Sequence, residues 1–315
     1  MTVALVANIA RPISSAISTA FSADSYGALS SYGLIGGSTN PDAVIEALFA
    51  SGEQGAWYDP SDLSTMFQDS AGTTPVTADG QPVGLILDKS KELALQELVV
   101  NGSFDSGASW TLVGGVISGG NLTFSASAAN DYASNTSTNP AAGDILEFTV
   151  TITAMSAGSI RPQCGGSVGT SRTSVGTYTE RVRSAGAGAA AIVATAAGTT
   201  ATISEFSVKR ISGNHASQDT AAKRPLYKTS GLAKYNDYDV VDDVLNTTFP
   251  SSLGSSCTVA KAVVGGSPTI LTGQTIGTTW AESTDNAGVV IVNRALTTQE
   301  TTDLTAWLTA KVATA

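Results

Sequence analysis

The spacing of apolar positions changes character along the chain. Val6, Ile9, Ile13, Ile17 and Phe21 recur every three or four residues, interrupted by Arg11-Pro12, which predicts a short amphipathic arm. Tyr26 to Thr39 is rich in glycine and serine and reads as a linker. A second helix is predicted from Pro41 to Ser51: Asn40 can cap it, Pro41 suits its first turn, and Val44, Ile45, Leu48 and Phe49 form one apolar face before Gly52. Asp59-Pro60-Ser61-Asp62 then marks a turn and a helix start, with a short helix over Leu63 to Phe67. Two turn clusters, Gly72 to Pro75 and Ala78 to Pro82, lead into the apolar run Val83 to Leu87, which reads as a strand.

From Glu97 onward the period becomes two. Ile145 to Met155 alternates, with Leu146, Phe148, Val150, Ile152 and Ala154 on one face and Glu147, Thr149, Thr151 and Thr153 on a wet face. Further strands are predicted at Trp110 to Ile117, Asn121 to Ala126, Thr177 to Arg183, Ala190 to Thr195 and Thr202 to Ile211, with turns between them at the spacing of an antiparallel sandwich. The chain ends in a predicted helix, Thr298 to Val312, whose stripe Leu304, Trp307, Leu308 and Val312 faces a core and whose start is signalled by Thr297 or Thr298 with Glu300. The expected fold is mainly β: an antiparallel β-sandwich at 97–211 and a β domain ending in a helix at 212–315, preceded by a short mixed α/β module at 1–96.

Composition narrows the function classes. With 315 residues, 42% of them hydrophobic, the chain can hold two or three domains with cores of their own. Charged residues are only 13%, which suits closely packed assemblies and implies surface hidden between chains. A net charge of −10 against 16 Lys plus Arg argues against phosphate neutralisation, so no nucleic-acid partner is expected. No apolar run reaches about 18 residues, so no spanning helix is expected. The first residues lack the pattern of a secretory signal, so synthesis in a cytoplasm is expected. Cys164 and Cys257 fall in different predicted domains and are expected as two buried thiols rather than a bridge.

The groups that carry turnover chemistry are sparse. Asp239, Asp242 and Asp243 form the densest acidic cluster, but no second carboxylate motif at compatible spacing makes a pair, so a solvated turn is expected. His215 is the single histidine; with no Cys or His partner for zinc and no serine elbow, it is expected to be structural. No enzyme activity and no cofactor are expected. Sugar binding needs an aromatic face plus amides or carboxylates for hydroxyl groups, and Tyr132 and Tyr178 with Asn130, Asp131 and Asn135 are the candidates, although two tyrosines in a sandwich more often wedge at sheet edges.

Three strings resemble known families. Trp57 to Lys89, opening Trp57-Tyr58-Asp59-Pro60 and continuing through Phe67-Gln68-Asp69, resembles a segment of tail, fibre and other structural proteins of tailed bacteriophages, and the Arg-Pro-Ile at Arg11 resembles their N-termini. That resemblance implies a virion structural protein made in a host cytoplasm, with 1–96 as its docking module and Trp57, Tyr58, Asp59, Pro60 and Phe67 as docking candidates; burial of these aromatics in a small fold is the competing reading. Leu98 to Trp110 and the closing strand Ile203 to Ile211 resemble jelly-roll carbohydrate-binding modules, which implies a core role for Trp110 and a structural calcium at Asp105 and Glu205, where Glu205 departs from the usual Asp. The strings between Ser212 and Ala315 resemble concanavalin-like and laminin-G-like lectin domains. About 100 residues is short for that fold, which implies a reduced sheet or completion against neighbours. Together the resemblances imply a fibre, spike or tail subunit that binds other virion proteins and copies of itself, as a trimer in a fibre, and adheres weakly and multivalently to host-surface glycan. A capsid decoration protein is the alternative; a glycan depolymerase would need an acid–base pair that the sequence does not offer.

Overall fold

The computed structural model describes residues 40–137 and 139–312, so the amphipathic arm over Val6 to Phe21 and the linker Tyr26 to Thr39 lie outside the described residues. The predicted second helix is a single α turn, α1 (Ala43–Glu46), continued by a 3-10 turn at Ala47–Phe49, not a helix through Ser51. Strands β1 (Gly55–Tyr58), β2 (Met66–Phe67) and β3 (Leu85–Ile86) follow. Between them the short helix expected over Leu63 to Phe67 is one 3-10 turn, Leu63–Thr65, capped by Asp62, and Met66 and Phe67 are already extended.

Eleven strands come next: β4 (Leu95–Glu97), β5 (Trp110–Val113), β6 (Gly115–Ser118), β7 (Asn121–Ser127) and β8 (Tyr132–Asn135), then β9 (Ile145–Ala157), β10 (Ile160–Cys164), β11 (Ser167–Val168), β12 (Gly176–Arg183), β13 (Ala191–Ala194) and β14 (Thr199–Ile211). They form two antiparallel sheets, ordered β11-β10-β13-β8-β5 and β12-β9-β14-β7-β6, with β4 paired to β14. Phe104, Phe124, Phe148 and Phe206 fill the space between the sheets. Trp110 stacks against Phe104 at 5.0 Å and Phe206 at 6.4 Å, and its indole N–H donates to the Asn101 carbonyl at 3.0 Å. The predicted single strand Trp110 to Ile117 is two strands in different sheets, because Gly114 takes φ +69°, which other residues rarely adopt, and turns the chain between them.

The return segment supplies β15 (Ala216–Ser217), β16 (Leu226–Ser230), β17 (Ala233–Asp237), β18 (Leu245–Thr248), β19 (Gly254–Val263), β20 (Thr269–Ile276), β21 (Thr279–Glu282) and β22 (Asn286–Val292), then helix α2 (Thr298–Val312). These strands do not make a domain by themselves. One sheet runs β16-β17-β22-β19-β20 with β1 added on β22, and the facing sheet runs β2-β3-β15-β18-β21. The expected separation of 1–96 from 212–315 is therefore corrected: β1–β3 are strands of the C-terminal sandwich, and the 97–211 sandwich is inserted between them and the rest. The strands that 212–315 needs to complete its two sheets come from the same chain. Gly55 makes this possible, since a Cβ there would lie 1.9 Å from the Ile291 carbonyl oxygen.

Alternation explains why β22 is apolar throughout. Val289 and Ile291 face the outer sandwich core with Tyr58, Met66, Phe249 and Cys257, while Val290 and Val292 face a second core closed by α2. That second core holds Trp57, Leu304, Trp307 and Leu308, with Ile45 and Leu48 from the first turns. The stripe predicted on α2 is thus buried, and its cap is a reciprocal one: Thr297 N–H donates to Glu300 Oε2 at 2.7 Å and Glu300 N–H to Thr297 Oγ1 at 3.2 Å. Arg294 grips Glu300 at 2.7 Å and Glu53 at 3.2 Å, tying the helix start to the N-terminal turns. The two cysteines are buried thiols, one in each sandwich core. A small apolar seam of Phe67, Leu85 and Leu87 against Ile145 and Ile211 joins the two sandwiches.

Two outcomes are expected. A chain beginning at residue 90 should give a folded inserted sandwich but no cooperative outer sandwich, whereas residues 95–211 alone should give a dispersed NMR spectrum; a folded, Trp307-buried outer sandwich in the truncated chain would contradict the shared sheets. Glu300→Gln should cost about 1–2 kcal/mol at neutral pH, measured by denaturant unfolding. The Arg294 hydrogen bonds hold the Glu300 carboxyl down at about 2, against the opposing effect of burial. Because that value is depressed from 4.5, the contribution is present above it and should fade as pH falls toward about 2.

Candidate functional site

Both chain crossings between the sandwiches pass one buried carboxylate. Asp88 is fully buried, and its Oδ1 accepts from the amides of Trp57 and Ser90, each at 2.8 Å. Its Oδ2 accepts from Asn214 N–H at 2.7 Å and the Ser90 hydroxyl at 2.9 Å. Asp88 N–H in turn donates to His215 Nδ1 at 3.0 Å. Nδ1 must then be an acceptor, so the ring is neutral with its proton on Nε2, donated to the Ile211 carbonyl at 3.1 Å. Burial pushes the His215 pKa below its ordinary value, against the raising influence of Asp88 and Asp144, while Arg181 adds to the lowering. The expected structural histidine is one that locks the crossing.

The five docking candidates are folded inward. Trp57 is 1% exposed and Tyr58 3%, on opposite faces of β1, and Phe67 lies in the seam. Asp59, also 1% exposed, is held by Lys311 of α2 at 2.7 Å and Lys89 at 3.6 Å. Lys311 lies 4.6 Å from the Trp307 ring centre and Lys89 4.4 Å from that of Trp57, and the two indoles meet edge-on at 6.1 Å. Pro60 is buried beside them. Trp57 and Asp59 grip the chain's own C-terminal helix, Tyr58 faces the outer sandwich core and Phe67 the seam, so these side chains are spent on contacts within the chain.

The glycan candidates are not brought together. Tyr132 is on β8 and Tyr178 on β12, in different sheets. Tyr178 has the Arg172 guanidinium 4.5 Å from its ring centre and its hydroxyl on Ser174 Oγ at 2.8 Å. Asn130 and Asp131 form a turn, with Asn130 at φ +70° and Asp131 Oδ2 accepting from Ala128 N–H at 2.8 Å. Asn135 is buried and donates to the Val100 carbonyl at 2.8 Å. For calcium, the Asp105 carboxylate accepts from Ser103 Oγ at 2.7 Å while Glu205 is exposed on β14. The described residues hold one group of three converging ligand-type side chains, Asp239, Asp242 and Asp243, and Asp105 and Glu205 are not in it. That group closes its own loop: Asp239 Oδ1 accepts from the amides of Val241, Asp242 and Asp243 at 2.9 to 3.2 Å.

What sequence reasoning missed is the extent of the wet face of β9. Cross-strand partners share a face, and the registers set Arg181, Glu147, Lys209 and Glu97 in one row across β12, β9, β14 and β4. The next row is Thr179, Thr149 and Ser207, and the next Thr177, Thr151 and Glu205. Within the rows Thr149 and Thr179 hydroxyls lie 3.1 Å apart, Thr151 and Thr177 3.0 Å, and Arg181 Nε lies 3.5 Å from Glu147. At the β4 end is a groove of about 350 Å³ lined by Glu97, Glu205 and Ser207. At the β12 end is a larger groove of about 480 Å³, with Glu147, Thr179 and Arg181 on one side and Phe67, Thr73 and Pro75 of the outer sandwich on the other. The polar alternation in Ile145 to Met155 was the available signal, but only strand pairing shows that three further strands continue it.

The fold and these grooves define a mainly β protein of two antiparallel sandwiches, one inserted in the other, with a polar sheet face. The sequence matches no family model and no curated protein. Among solved structures it is similar to the N-terminal CBM22-1–CBM22-2 tandem domain of Paenibacillus barcinonensis Xyn10C, with TM-score 0.31 and 9% identity over 66% of this chain and 94% of that one. The fold stated here rests on the strand pairing rather than on that likeness.

His215 gives the crossing a pH signature. Its folded pKa lies below the unfolded 6.5, so its contribution is full above that value and is lost as pH falls below it. His215→Gln should lower Tm at pH 7, and the gap from wild type should narrow toward pH 5; a gap that stays constant would sink the assignment of the neutral ring.

Proposed function

We propose that the protein is a structural protein of a tailed-phage virion that binds rather than turns over its ligand, presenting the polar face of its inserted sandwich to glycan on the host surface. The observation that carries the binding half is the set of rows across β12, β9, β14 and β4, in which two rows made mainly of hydroxyls lie beside a row of opposed charges. Sugar hydroxyls both donate and accept, and threonine hydroxyls beside carboxylate–guanidinium pairs offer both partners. Two of the acids on this face are engaged: Glu147 by Arg181, and Glu97 by Ser207 Oγ and the Val99 amide at 3.0 Å. Acids so engaged suit recognition better than proton transfer.

The virion half rests on the resemblance of Trp57 to Lys89, read now as the segment that closes the outer sandwich. Assembly with other virion proteins or with copies of itself then falls to surfaces other than the five buried side chains. Affinity for one face without an exposed aromatic platform should be about millimolar, roughly −4 kcal/mol, so adhesion depends on many copies. On a host-glycan array, assembled protein should bind without releasing oligosaccharide, and Thr149→Val with Ser207→Ala should weaken binding while Tyr132→Ala does not. Released oligosaccharide would overturn the binding reading, and antibody-labelled particles examined by electron microscopy without decoration would overturn the virion reading.

A further inference from the structure

We propose that the groove between the two sandwiches is a composite end site for a neutral glycan, taking one or two pyranose units, with the Asp69–Pro75 loop of the outer sandwich as its second wall. This rests on the glycan reading above and assigns to it a place and a ligand class. The groove, at about 480 Å³, falls in the about 300–1,000 Å³ range of small-ligand sites.

Charge decides the class. Its two carboxylates are each met by a guanidinium, Glu147 by Arg181 at 3.5 Å and Glu180 by Arg172 at 3.3 Å. The local field is balanced, so neither an acidic nor a basic ligand is favoured. The Arg181 guanidinium sits 5.2 Å from the Phe67 ring centre, which positions it at the seam. Its five donors exceed what Glu147 accepts. Thr170 Oγ1 donates to Glu180 Oε2 at 2.7 Å and keeps lone pairs to accept from a ligand hydroxyl. Pro75, exposed on the loop, supplies the apolar patch for the C–H face of a pyranose, with the buried Phe67 behind it.

The second wall is preorganised, which limits the ordering cost of binding. Asp69 accepts from the amides of Ala71, Thr73 and Thr74 at 3.0, 3.1 and 2.7 Å, and from Thr73 Oγ1 at 2.9 Å. Burial opposes ionisation of Asp69, but these hydrogen bonds outweigh it and hold the carboxyl below its ordinary value. Gly84 lets β3 pass under the loop, where a Cβ would lie 2.7 Å from the Gln68 carbonyl oxygen. Arg224 Nη1 donates to that same carbonyl at 2.9 Å, and Asp219 of the same return segment meets Arg183 of β12. The wall is therefore fixed to both sandwiches.

The test is NMR titration of the full chain with methyl glycosides of glucose, galactose, mannose and N-acetylglucosamine, and with N-acetylneuraminic acid and inorganic phosphate for contrast. At least one neutral glycoside should shift the amides of Thr73, Thr170, Thr179 and Arg181 together. Arg181→Lys, which keeps the charge and loses the fork, and Thr179→Val, which keeps the shape, should each weaken that binding about tenfold at unchanged Tm. Tyr132→Ala on β8, in the other sheet, should leave it unchanged. Neutral binding that survives both groove variants, with shifts confined to the middle rows, would overturn the groove and leave the glycan reading standing. Preferential binding of N-acetylneuraminic acid or phosphate would overturn the neutral class, and failure of every glycan both here and on the array would overturn both readings.

Discussion

A buried carboxylate with four hydrogen-bond donors converging on it sets the terms for the rest of this structure. Leaving Asp88 unsatisfied inside the fold would cost several kcal/mol, so Trp57, Ser90 and Asn214 must all be in place at once. Those three residues belong to the first strand, the outgoing crossing and the returning crossing. Satisfying one side chain therefore fixes where the inserted sandwich leaves the outer one and where it comes back. The Asp88 amide, bound to His215, extends the same constraint by one more residue. The seam of Phe67, Leu85, Leu87, Ile145 and Ile211 is small, and it is the polar crossing beside it that gives the two bodies a defined relation.

Given that relation, the polar face acquires a second side. A sheet face on an isolated sandwich is open, whereas here the Asp69–Pro75 loop stands at its β12 end. The same residue type does different work at each place: Arg294 staples a helix start, Arg183 links bodies through Asp219, and Arg181 faces the groove. Charge is sparse in this chain and is concentrated where segments distant in sequence meet.

Legibility in the sequence followed element length. Ile145 to Met155 and Thr298 to Val312 were read correctly because each repeats its period over several turns or pleats, and the mainly β antiparallel class followed from such segments. Strands β2, β3 and β15 have two residues each, too few to show any period. Strand β10 contains Pro162, which by itself argues against a strand. Trp57-Tyr58-Asp59-Pro60 was legible as important but not as internal, since a cluster of aromatics and a turn looks the same whether its partner is another protein or helix α2, some 250 residues away. The alternation of Ala56, Trp57 and Tyr58 between two cores needed the position of β22. The polar rows were invisible for a similar reason: each strand contributes one or two hydroxyls, and only the register adds them together.

The insertion also orders events in time during synthesis. Gln54 binds Asn293 across 239 positions, so the outer sandwich cannot close until nearly the whole chain has left the ribosome. The inserted sandwich meets no such delay, because all of its strands lie within 95–211. Once formed, it holds β4 beside β14, and a loop of more than a hundred residues behaves as a short one when the last strands arrive. Until then β1 lacks β22 and the β2–β3 pair lacks its facing sheet, with Trp57 and Tyr58 exposed, so the nascent chain's vulnerability lies at its early aromatic segment.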